Sequence, residues 1–158
     1  MKKVSVLLAF LWLLTSCSNQ PEKPGISASD TEKTHTDKST SEEKGIGPVT
    51  NVTLNTPLLA PMVEKGKAIY ETKCASCHKL SDERLVGPGW KGITERRKPE
   101  WIMNMTTNVQ EMLKKDSTAI ALLRECGVAM SEQQLSPNEA RYVLEFIYAN
   151  DGYEVGEL

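Results

Sequence analysis

The chain has 158 residues, 19 of them basic and 21 acidic, with 6% aromatics and four cysteines. That length admits one ordinary domain, and the slightly acidic balance excludes a nucleic-acid binder working through a basic surface. Once a leader and a polar stretch are set aside, about 100 residues remain to fold, so a bound prosthetic group would add much to a modest core.

Lys2 and Lys3 precede an apolar run from Val4 to Leu14. The run is about half of the roughly 20 residues a bilayer-spanning helix needs, so residues 1–16 are expected to be a signal peptide. It ends Leu14-Thr15-Ser16-Cys17, which resembles the lipobox of bacterial lipoproteins. The resemblance implies that Cys17 becomes a lipid-modified first residue, and several acyl chains on one residue suffice for stable anchoring. Without the two leader lysines, 17 bases face 21 acids.

From Ser18 to about Lys44 the chain is polar, with Ile26 and Ala28 as its few apolar residues. Such composition cannot bury enough surface to fold. Residues 17–56 are therefore expected to be a lipidated cysteine and a flexible tether, of about 35 Å r.m.s. reach. His35 lies in this tract without neighbours at metal-ligand spacing and is assigned no role.

Residues 57–158 are expected to fold. Pro61 suits a first helical position, and Met62, Val63, Gly66, Ile69, Tyr70 and Lys73 follow helical spacing. This helix delivers Cys74-Ala75-Ser76-Cys77-His78, of the form C-x-x-C-H. Two thiols so spaced can both add to the vinyl groups of one haem, while the adjacent imidazole reaches the iron. A thioredoxin-like pair would need a βαβ setting and a zinc site a further ligand pair, and the sequence offers neither. Three shorter helices follow, from Pro99, Asn108 and Asp116, each opened by a capping residue or an early proline. Ser136-Pro137-Asn138-Glu139 reads as a capping box before Ala140, Val143, Leu144 and Ile147 on one face. No segment alternates like a strand, so the expected class is all-α.

With C-x-x-C-H after an N-terminal helix, then Gly87-Pro88, then a methionine before a capped terminal helix, residues from about Pro57 to Gly152 resemble class I c-type cytochromes. The resemblance implies one covalent haem c within N- and C-terminal helices that cross with Gly66 against Phe146, or else Tyr142. It implies that the Pro88 carbonyl accepts a hydrogen bond from His78 Nδ1, fixing the ring and raising its basicity. It also places the sixth ligand on the loop between the last two helices, which selects Met130. Met62, Met103, Met105 and Met112 fall within expected helices and read as packing. Ser131 stands where family members commonly have proline after that methionine.

Trp90 and Trp101 could line the haem and donate to a propionate, or simply pack. Arg96 and Arg97 could neutralise a propionate or lie on a solvated loop, and Cys126 reads as an inert thiol, a disulfide partner or a redox group. The expected function is single-electron transfer by an exported, lipid-anchored monomer facing the periplasm or cell exterior, and not catalysis. Its donor would be a quinol-oxidising complex or another cytochrome, and its acceptor a terminal oxidase or periplasmic reductase. A haem enzyme or sensor with an open or displaceable sixth site, or a fixed cytochrome subunit of a respiratory complex, are the alternatives.

Overall fold

The computed structural model describes residues 43–157. The expected signal peptide, Cys17, His35 and the first part of the expected tether lie outside the described residues. Among the described residues, six α-helices follow one another from Ala60 onward: α1 (Ala60–Ile69), α2 (Ile93–Arg96), α3 (Pro99–Thr107), α4 (Val109–Lys115), α5 (Ser117–Cys126) and α6 (Pro137–Asn150). Among the described residues there is no strand. Two isolated bridges, Leu58 with Val155 and His78 with Arg84, pin loops together.

The helix ends follow from local chemistry. Asp116 caps α5 by accepting from Ala119 N at 2.8 Å, and Gly127 closes it with φ +70°, the left-handed geometry a Cβ disfavours. Ser136 and Glu139 form the reciprocal capping box of α6, with Pro137 just inside. The first helix departs from expectation. Its α-helical part stops at Ile69, and Tyr70–Cys74 continues as a π-helical turn in which Ala75 N reaches Tyr70 O at 2.9 Å. A π turn inserts one residue per turn, and such insertions gather at functional sites.

Helix α1 packs chiefly against α6. Gly66 makes this possible, because a Cβ there would overlap the Tyr142 carbonyl and lie 2.8 Å from Phe146 Cβ. Both aromatics named from the sequence thus border Gly66, Tyr142 through its backbone. Gly66→Ala is expected to destabilise the protein by about 3 kcal/mol, at the top of the overpacking range. Thermal unfolding of the haem-loaded protein measures this, and an unchanged midpoint would show the crossing to be looser than it is drawn.

The expected tether boundary needs correction. Residues 44–56 are bound along the helices, with Ile46, Val49, Val52 and Leu54 partly buried against the core. The fully buried Asn104 of α3 donates to Lys44 O and Val49 O and accepts from Val49 N. Asn108 Nδ2 donates to Ile46 O, Glu100 accepts from Val52 N, and Met112 Sδ accepts from Ile46 N at 2.9 Å. Gly45 and Gly47 let the backbone lie this close, since a Cβ at Gly45 would sit 2.8 Å from Met112 Cε and one at Gly47 would overlap Asn104. Side chains of the helices satisfy this strap's backbone, so it needs no helical or strand pattern of its own.

The core between α1, α3 and α6 includes Trp101, Ile102, Met112, Val143, Leu144 and Ile147. It also holds Glu145, fully buried, whose Oε1 accepts from Arg141 and from Asn55 of the strap while Oε2 has no partner among the described residues.

Candidate haem site

The π turn ends at Cys74, which is buried, and the chain turns tightly through Cys77 and His78, whose amides both bond Cys74 O. Loop residues then fold back, with Val86 N and Gly87 N donating to Cys77 O, and Tyr70 Oη donating to His78 O at 2.7 Å. Gly87 is needed here because a Cβ would overlap His78 Cε1 and approach Nδ1 to 2.8 Å. His78 Nδ1 lies 2.9 Å from Pro88 O. A carbonyl only accepts, so Nδ1 carries the proton and Nε2 keeps its lone pair.

These groups border a cavity of about 370 Å³. Cys74, Cys77 and His78 lie on its wall together with Gly87, Pro88 and Trp90, and so does the run Val128-Ala129-Met130-Ser131 from the α5–α6 loop. Much of the remaining lining is apolar, from Ile93, Ile102, Leu113, Leu122 and Ile147. Cys74 and Cys77 are unbridged. Burial pushes the Cys74 thiol up to about 11, against the nearby Lys73 charge, so it stays protonated at neutral pH. Burial likewise lowers the His78 pKa, with the Pro88 hydrogen bond opposing it, and so keeps the imidazole neutral. Two unbridged thiols, a neutral imidazole with one free lone pair, a thioether and apolar walls are the donor set and surroundings a covalently held haem requires.

The cytochrome c family model matches residues 63–150, more than half of the chain. The chain belongs to the cytochrome c family.

As a class I c-type cytochrome it carries haem c, covalently bound. Among solved structures, cytochrome c from Rhodothermus marinus is 33% identical, covering 71% of this chain and 96% of that one, with a TM-score of 0.67. An engineered form of that protein, bound to a carbene intermediate, is 33% identical over the same shares with a TM-score of 0.64. A cytochrome c-553-like protein of Synechocystis is 30% identical over 47 residues, 30% of this chain and 45% of that protein. This cytochrome c therefore spans less than half the length of that curated relative.

The structure also separates the candidates that sequence left open. Trp90 lines the cavity, its ring 5.4 Å from that of His78 and 5.1 Å from that of Tyr70. Trp101 lines the cavity too, but directs its N–H to Asp116 Oδ1 at 3.1 Å, so its donor is already engaged. Arg96 donates to Lys91 O and Arg97 stacks over Trp101, and neither lines the cavity of His78. Cys126 is half-buried on the cavity wall. Among the methionines expected to pack, Met103 and Met112 are buried, whereas Met105 also lines the cavity.

Sequence reasoning missed Gly87, Tyr70 and Met105 as parts of this site. Gly87 stands in the motif only as the residue before Pro88, and its role depends on the ring of His78, earlier in the chain, returning to meet it. Gly87→Ala is expected to lower haem-loaded stability by about 2 kcal/mol through this overlap. A visible spectrum that also loses part of its low-spin character would show the ring displaced. Full retention of both would place the ring's support elsewhere.

Proposed function

We propose that this cytochrome c is a monohaem single-electron carrier, its haem attached through Cys74 and Cys77 and its iron held between His78 and Met130. The observation behind this reading is that one apolar cavity is bordered by all four residues, with Met130 inside a run of four consecutive lining residues. Such a run keeps the loop backbone along the wall, whereas Met105 reaches the cavity from within α3, beside Trp101, Ile102 and Thr106 of the same helix. Met112, the other rival, has its sulfur occupied by the Ile46 N–H.

Bound there, the haem supplies one-electron chemistry between ferrous and ferric iron, and a thioether ligand favours the reduced state. The protein's own part is to fix the ring of His78 through Pro88 and Gly87, to exclude water with apolar walls, and to fill the sixth position with Met130. A site filled on both sides is a carrier's site and not a catalyst's. The donor is then a quinol-oxidising complex or another cytochrome, and the acceptor a terminal oxidase or periplasmic reductase, met in brief small-interface encounters. Export and anchoring through Cys17 suit a carrier that works as a monomer at a membrane face. No described helix is long and apolar enough to cross a membrane.

The test is a redox titration of the purified haem-loaded protein combined with carbon monoxide addition to its reduced form. A reversible one-electron couple at positive potential and no carbon monoxide spectrum are expected. Ready binding of the gas would replace this reading with that of an enzyme or sensor with an open site.

A further inference from the structure

Six large apolar side chains are conspicuously exposed among the described residues, and three of them, Leu85, Val86 and Val128, lie on the two loops that border the cavity. Val86 and Val128 are 41% and 58% exposed and also line the cavity itself, so they stand at its mouth. The remaining three, Leu59, Tyr153 and Val155, do not line it.

Three basic groups of this region, Lys73, Lys79 and Arg84, are engaged within the chain. Arg84, directly before Leu85, donates to Glu125 O at 2.8 Å and lies 3.7 Å from Glu125 Oε1, tying the His78 loop to the end of α5. Lys79 pairs with Glu83, and Lys73 donates to Gln133 O at 3.0 Å. Next along the chain, Arg124 and Glu132 carry opposite signs. The Lys79–Glu83 and Arg84–Glu125 pairs, exposed as they are, contribute little stability. Their consequence is electrostatic: opposite charges held together cancel beyond a Debye length and give little steering. A strongly acidic or basic partner would have to break them and bury apolar side chains against its own charges.

We infer that Leu85, Val86 and Val128 form the docking face for the redox partner, and that the partner presents an apolar, uncharged patch to it. This rests on the electron-carrier reading above and adds the chemistry of the surface that is met.

Gold electrodes coated with defined alkanethiol monolayers test it. On a mixed methyl- and hydroxyl-terminated layer the haem-loaded protein is expected to exchange electrons directly, changing by less than about twofold between roughly 20 mM and 0.5 M salt. Carboxylate- and amine-terminated layers are expected to give a weaker response. Leu85→Ser and Leu85→Asn, at a position that does not line the cavity, are each expected to lower the rate on the apolar layer by about tenfold, with the visible spectrum and the reaction with dissolved ferricyanide unchanged. Leu59→Ser, away from the cavity, is the control expected to keep the full rate. A faster, salt-sensitive response on either charged layer, or equal rates for all three variants, would overturn the docking face while leaving the carrier reading intact. So would sedimentation showing that the face joins two copies of the chain. Loss of the couple with ferricyanide as well would instead defeat the carrier reading.

Discussion

Replacing both Cys74 and Cys77 by serine yields a chain that leaves its maturation machinery without covalent haem and without its native fold. The cavity explains the size of the effect. At about 24 cal/mol per Å³ of unfilled space, a 370 Å³ cavity left unfilled corresponds to on the order of 9 kcal/mol. Small domains have only about 5–15 kcal/mol of stability in total. The apolar walls would collapse or recruit other chains sooner than persist. The raised pKa of Cys74 bears on the route as well, since a protonated thiol is a poor nucleophile and waits for assisted attachment. Mass spectrometry and haem staining of a denaturing gel report the attachment, and far-ultraviolet circular dichroism reports the fold. Full helical content at the mass of the bare chain would show that the protein is built without the cofactor.

Met130→Ala removes the weak far-red absorption band that an iron–thioether bond gives the oxidised protein. It also lowers the midpoint potential by on the order of 0.1 V or more, a fraction of the range of about 0.8 V that axial ligation spans. The reduced variant gains carbon monoxide binding. Met105→Ala, which alters the same cavity from α3, keeps the band. Met112→Ala also keeps it but loses stability, because the Ile46 N–H is left without its sulfur partner. Should the band vanish in the Met105 variant and survive in the Met130 variant, the ligand assignment is reversed.

The helices were legible because their signals are local. The capping box at Ser136, the proline at the start of α3 and the spacing of Val143, Leu144 and Ile147 each need a few neighbouring residues. The C-x-x-C-H segment is equally local, and the structure sets Cys74, Cys77, His78 and Met130 around one cavity. What escaped was non-local. The π turn at Tyr70 is a hydrogen-bond choice that costs little to make or undo and leaves no composition signal. The clearance required at Gly87 is set by a ring that returns through a loop. The strap reads as linker because it continues the polar tract that ends near Lys44, while its partners are Glu100, Asn104, Asn108 and Met112, about 50 to 65 positions further on. Gly45-Ile46-Gly47 followed by Val49, Val52 and Leu54 was the available hint.

That strap distributes tolerance to change unevenly along the chain. Its contacts are made largely through amides and carbonyls, which every residue other than proline supplies, so exposed Thr50, Asn51 and Thr53 are free to drift. The burden of recognition falls on α3 and the start of α4, where replacing Asn104 would strand three peptide groups at once and replacing Asn108 a fourth. A stretch resembling spacer in its letters is thus held in register by letters written elsewhere.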